Sequence, residues 1–203
     1  MAYQSDPTFL TLHAVRLRGR ASTDAVAAAV GRRVDELLQT AVDARHLIHK
    51  EGRAAGWSLT PEGREAHRVL LAAERESCGA LDVVRATYDE FLAVNADLIQ
   101  VCTDWQVKPD GSLNDHADER YDAGVIEALG AIDGRTQPVC ERLGSHVARF
   151  DAYGQRLSGA LARVRAGERQ WFTSPAVESY HTVWFELHED LLQILGITRE
   201  QEV

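Results

Sequence analysis

Cysteine is scarce: Cys78, Cys102 and Cys140 are three in 203 residues, too few and too far apart for a disulfide framework or a zinc pattern. A reducing cytoplasm is the expected compartment. Long apolar runs are missing as well, since no stretch approaches the roughly 20 apolar residues that span a bilayer. The N-terminus, MAYQSDPTFL, lacks the basic and apolar regions of a signal peptide, so no membrane partner is expected. There is no phosphate-binding glycine loop, no nucleophile elbow and no zinc spacing. No catalytic residue, cofactor or metal is therefore assigned, and the chain is not read as an enzyme. What remains is a composition 45% hydrophobic and 26% charged, that of an ordinary soluble protein with a real core.

Charge is unevenly spread. Residues 1–75 hold 11 lysines and arginines against 9 aspartates and glutamates, a balance of +2; the remainder holds 11 against 22, a balance of −11. A slightly basic head on an acidic body suits a head that docks on phosphate while the rest is repelled from it.

The stretch STDAVAAAVGRRVDELLQTAVDARHLIHKEGRAAGWSLTPEG, Ser22 to Gly63, organises the chain. Ser22 or Thr23 caps a first helix whose Val26, Ala29 and Val30 recur at helical spacing. Gly31 supplies a turn, and a second helix is expected from Arg32 to His46, with Val34, Leu38, Ala41, Val42 and Leu47 facing inward. Leu47–Lys50 and Trp57–Leu59 read as two short strands joined by a glycine-flanked loop. Thr60 as N-cap and Pro61 at the first helical position then open another helix. Ahead of all this, Pro7 to Arg18 reads as a helix with Phe9, Leu10, Leu12, Val15 and Leu17 on its core side.

Helix, glycine turn, longer helix, hairpin and the exit Trp57-Ser58-Leu59-Thr60-Pro61-Glu62-Gly63-Arg64 resemble the winged helix-turn-helix of MarR-like and PadR-like bacterial regulators, over about residues 8–73. The resemblance implies double-stranded DNA as partner. Arg32, Arg33, Gln39 and Thr40 would then face base edges from the second helix of the motif. Arg16, Arg18 and Arg20 would sit beside phosphates, and Lys50 and Arg53 would lie on the wing. Asp35 and Glu36 do not fit those roles, because carboxylates repel phosphate although they suit a helix N-terminus.

After a break at Ser77-Cys78-Gly79 the pattern is helical nearly to the end. A Pro109-Asp110-Gly111 turn precedes a helix capped by Asn114 or Asp115 and running to Leu129. Asp115, His116, Asp118, Glu119 and Asp122 are read as partners of that helix's dipole rather than as metal ligands. Asp133-Gly134 punctuates, and Gln137 to Arg165 reads as one long helix. Ser174 with Glu178 forms a capping box for a last helix from Pro175 to Leu195, ended by Gly196. On it His181 and His188 flank Trp184; with Trp171 these could receive a small-molecule effector.

The expected fold is mainly α. A winged helix-turn-helix domain occupies 1–76, and an antiparallel helical-bundle domain for dimerisation and effector binding occupies 77–203. The expected function is a homodimeric, effector-responsive transcriptional regulator. The alternative is a winged-helix adaptor that binds protein or small molecules and no longer binds DNA; Asp35, Glu36 and the acidic body favour it.

Overall fold

The computed structural model describes residues 1–52 and 55–201. It is mainly helical, with one two-stranded antiparallel sheet, and divides into two compact units. One unit comprises Tyr3–Leu81 together with the chain from Leu192 onward; the other comprises Asp82–Leu191 with Met1 and Ala2. Among the described residues, no helix is long and apolar enough to cross a membrane.

In the first unit α1 spans Pro7–Arg18, with Asp6 accepting from the backbone N–H groups of Thr8 and Phe9. α2 spans Thr23–Val30; Ser22 accepts from the Ala25 N–H, and Gly31 ends the helix at φ +74°. α3 spans Asp35–Asp43, so Arg32 and Arg33 precede the helix instead of opening it. The reason is Val34, which is 2% exposed and whose φ of −122° is not helical. Its side chain must enter the core before the helix begins, and Asp35 and Glu36 then fill the first turn, where carboxylates complement the dipole. The helix also stops short of His46, because Arg45 takes a positive φ of 59°. β1 (Leu47–Lys50) pairs with β2 (Gly56–Leu59), Leu47 opposite Leu59 and His49 opposite Trp57.

Two close backbone approaches lock the hairpin in place. A single antiparallel bridge joins Ala21, between α1 and α2, to Trp57: the Trp57 N–H donates to the Ala21 carbonyl at 2.8 Å, and the Ala21 N–H to the Trp57 carbonyl at 3.1 Å. Gly56 permits it, since a Cβ there would lie 2.9 Å from the Ala21 oxygen. The second approach follows β2. α4 spans Pro61–Ser77 and is capped by Thr60, which accepts from the Gly63 N–H. The Thr60 hydroxyl donates to the Arg45 carbonyl at 2.6 Å, and a Cβ on Gly63 would lie 1.9 Å from the His46 oxygen. Only glycine fits there. The core beneath is aliphatic: Leu12, Val15, Ala21, Val26, Val34, Leu38, Ala41, Leu47 and Leu59. Each fully buried valine or leucine of this kind contributes about 1.5–3 kcal/mol. Beside it, His13 of α1 and His67 of α4 are both buried, with Nδ1 of the first 2.9 Å from Nε2 of the second and Phe9 stacked on both rings. From α4, Arg75 donates to the carbonyl of Leu195 at 3.3 Å.

The other unit contains most of α5 (Leu81–Gln106), then α6 (Glu119–His146), α7 (Asp151–Arg165), the short α8 (Gln170–Thr173) and α9 (Tyr180–Leu195) up to Leu191. Partners run in opposite order on neighbouring helices. Asp97 and Glu90 of α5 pair with Arg135 and Arg142 of α6. Gln137 and Asp133 of α6 meet Gly154 and Ser158 of α7. Arg156 and Tyr153 of α7 meet Glu186 and Asp190 of α9. Neighbours are thus antiparallel.

Four expected boundaries differ. α6 is capped by Asp118 and starts at Glu119, later than Asn114 or Asp115, because Asn114 and Asp115 hold the preceding loop. It then continues through Asp133-Gly134, since the Asp133 carboxylate is bonded by Ser158 at 2.9 Å and Gln137 at 3.1 Å instead of turning the chain. The interior glycine costs only about 1 kcal/mol, which a long packed helix absorbs. The expected helix from Gln137 to Arg165 is broken instead at Val147, with a 3-10 turn at Ala148–Phe150. Val147 and Phe150 stay fully buried, so the apolar spacing carries across the turn and hides it. Finally, α9 starts at Tyr180 rather than Pro175. Ser179 accepts from the Thr182 N–H, and Glu178 pairs with Arg156 at 3.0 Å rather than closing a capping box on Ser174. Gly196 follows the helix at φ +67°, as expected.

Candidate nucleic-acid interface

α3 is two-sided. Leu38 and Ala41 are buried, whereas Glu36, Gln39, Thr40 and Asp43, spaced 3, 1 and 3 residues apart, are exposed as one stripe. Gln39 Nε2 donates to Asp43 Oδ1 at 2.8 Å, an i,i+4 pair, and the Thr40 hydroxyl donates to the Glu36 carbonyl at 2.8 Å. Arg33 is exposed just before the helix and donates through Nε and Nη2 to Asp35 Oδ2 at 3.2 and 3.1 Å. With 93% and 66% of those two side chains exposed, solvent screens this pair, and it holds Arg33 weakly. Arg32 is exposed beside it.

The other basic residues expected at the site flank the stripe in sequence. Arg16 is exposed in the last turn of α1, and Arg18 and Arg20 are half-buried. Arg20 Cγ packs 3.0 Å from the position a Gly56 Cβ would take, beside the hairpin. Lys50 is exposed at the end of β1, opposite Gly56. Arg53 lies outside the described residues. Trp57 is anchored: its indole N–H donates to Thr23 Oγ1 at 3.0 Å and its ring meets that of His49 at 4.6 Å. Asp43 was not among the expected site residues, although its i,i+4 spacing from Gln39 was a signal for it.

The residues expected to bind an effector are on several elements. Trp184 and His188 come together around Phe91 of α5, with ring centroids 4.7 and 5.1 Å away, and Trp184 donates to Asn95 Oδ1 at 2.9 Å. Both are buried. His181 is exposed on α9, and partial burial of its ring pushes its pKa below the ordinary 6.5. Trp171, on α8, lies under the Arg163 guanidinium of α7 at 4.4 Å.

Beside that aromatic group runs a chain of buried charge. Arg149 donates through Nη2 and Nε to Asp190 Oδ1 at 2.8 and 3.1 Å and through Nε to Oδ2 at 3.3 Å, with side chains 4% and 1% exposed. The Tyr153 hydroxyl donates to Asp190 Oδ2 at 3.2 Å, and Arg156 reaches Glu186 at 2.6 Å. Burial, and then the carboxylates of Asp190 and Glu186, push the Tyr153 hydroxyl well above the ordinary tyrosine range. For Arg156 burial works against the charge, and Glu186 and Glu178 more than offset it.

His116, at a positive φ of 59°, bonds through Nδ1 to buried Asp122 at 3.0 Å, and Asn114 donates to the same carboxylate at 2.8 Å. Among the described residues, no group of three or more histidine, cysteine, aspartate or glutamate side chains is placed to hold a metal ion. Burial pushes the Cys102 and Cys140 thiols up to about 12, which keeps both protonated and poorly nucleophilic at neutral pH.

Comparison of the chain with protein-family models, with curated proteins and with solved structures finds no match.

Proposed function

We propose that the protein is a homodimeric transcriptional regulator that binds double-stranded DNA through a winged helix-turn-helix head, residues 1–76. The observation that carries this reading is the Ala21–Trp57 bridge. It ties the hairpin back to the segment between α1 and α2, so that β1 and β2 act as a wing beside α2, the Gly31 turn and α3. A solvent-facing stripe on α3, with Arg33 at its start and Lys50 on the hairpin, is then the surface to enter a major groove, while Arg16, Arg18 and Arg20 lie near phosphates. Residues 77–203 are the dimerisation body. The antiparallel neighbours α5, α6, α7 and α9 favour a helical bundle, whose aromatic group at Trp184 and His188 is where an effector would act, with Trp171 and His181 at its margins. A two-fold axis between bodies would bring two heads to half-sites about one DNA turn apart. The cytoplasm is the compartment that fits this role.

A second reading has its own observation. Three carboxylates, Asp35, Glu36 and Asp43, are exposed on α3, and Arg33 already has one as a partner. That favours an adaptor whose head docks on protein or a small molecule.

The test is fluorescence anisotropy with a labelled duplex of the upstream DNA at several salt concentrations, beside an Arg32→Ala/Arg33→Ala variant. A regulator binds with affinity that falls steeply with salt, and the variant, having lost two groove-facing guanidinium groups, binds more weakly at every salt concentration. Binding that ignores salt, or none with the protein folded, supports the adaptor.

A further inference from the structure

Hydrogen-bond polarity on α3 says more than its charge does. Of the four exposed side chains on the stripe, Glu36 and Asp43 are carboxylates and offer acceptors alone. Thr40 has one hydroxyl hydrogen and gives it to the Glu36 carbonyl, which leaves its oxygen lone pairs facing outward. Gln39 commits one of its two amide hydrogens to Asp43, and its Oε1 remains an acceptor. Acceptors therefore dominate the face. In the major groove guanine offers N7 and O6 and thymine offers O4, all acceptors, whereas hydrogens come from cytosine N4 and adenine N6. A face of acceptors meets the second set and is repelled by the first.

Resting on the DNA-binding reading above, we infer that α3 selects its site through exocyclic amino groups, cytosine N4 above all, with Glu36 as the specificity-determining residue. Affinity then comes from the arginines and Lys50 around the stripe, and base choice from the acidic stripe itself. The pairing costs nothing in rearrangement, because each intrahelical bond can stay where it is. A guanine reader would instead need a free guanidinium on the helix, and among the described residues Arg32 and Arg33 both stand before its first turn.

The experiment is selection of duplexes from a random pool by the full chain, run with the parent protein, Glu36→Ala and Glu36→Gln. Selected sites are then resynthesised with 7-deazapurines, which lack the N7 acceptor and keep every amino group. The expected result is a cytosine or adenine position at which Glu36→Ala loses about tenfold in discrimination. Glu36→Gln, which adds donors, should admit guanine there, and 7-deazapurines should change parent affinity by less than about twofold. Duplexes selected with a base preference indifferent to Glu36, or lost with 7-deazapurines, overturn this inference and leave the DNA-binding reading standing. Selection of no duplex, including the case in which an oligolysine peptide binds α3 instead, overturns both.

Discussion

Each of the two units is held together internally by its own means. In Tyr3–Leu81 the decisive contacts are between backbones: Trp57 to Ala21, the Thr60 N–H to the His46 carbonyl, and Gly63 against that same carbonyl. In Asp82–Leu191 they are between side chains of separate helices, often charged and buried, as in Arg149–Asp190 and Arg156–Glu186. Backbone contacts tolerate little change in shape but much change in side-chain chemistry. Buried ion pairs do the reverse: shape survives, but neither partner tolerates loss of the other. A unit built the first way leaves the exposed stripe of α3 free to vary without disturbing the fold.

Substitutions at one contact of each kind should sharpen the contrast. The largest effect is expected for Asp190→Ala, which takes the carboxylate away from a nearly fully buried guanidinium and should cost about 3–5 kcal/mol. Denaturant titration read by near-UV circular dichroism checks it. Replacing the pair jointly, Arg149→Met with Asp190→Leu, should recover part of the loss, the rest being the buried Tyr153 hydroxyl deprived of its Asp190 acceptor. In the head, Gly63→Ala drives a methyl into the His46 carbonyl and should cost about 1–3 kcal/mol. Hydrogen exchange should show the added opening in β1, β2 and the first turn of α4, with the Asp82–Leu191 helices unchanged.

The smallest effect concerns pH. Burial lowers the His181 pKa in the folded chain from 6.5, so on acidification the unfolded chain takes up the proton first. Stability from this site is intact above about pH 6.5 and declines as pH falls toward the folded value. His181→Gln should flatten that part of a pH–melting curve and leave the alkaline side alone. An unchanged acid slope would show that other groups set it.

What was legible in the sequence follows the same division. Ser22, Gly31, Thr60-Pro61 and the strands Leu47–Lys50 and Trp57–Leu59 announce themselves through short-range chemistry, and the described elements agree with them. The Glu62-Gly63-Arg64 exit was noticeable as a pattern, but its reason, a helix turn pressed on the His46 carbonyl, needs both segments in view. The Ala21–Trp57 bridge is a single residue pair 36 positions apart and leaves no periodic trace. Long-range pairing also decided the misplaced boundaries. Asp133 reads as a turn residue until its partner Ser158 on α7 is in view, and Val147 reads as helical because buried turn residues keep helical spacing. At the interface, the sequence pattern puts Arg32 and Arg33 inside α3, whereas they precede it, since burial of Val34 is a demand of the core rather than of the local sequence.

His13 and His67 carry a consequence of their own. Between Nδ1 of one ring and Nε2 of the other, 2.9 Å apart, there is room for a single hydrogen. When both rings are neutral, the tautomer of one dictates the tautomer of the other. A hydrogen on His13 Nδ1 obliges His67 to carry its own on Nδ1; a hydrogen on His67 Nε2 obliges His13 to carry its own on Nε2. Two helices of the head, 54 residues apart in sequence at this point, therefore share one two-valued variable in the core, with nitrogen chemical shifts as its readout.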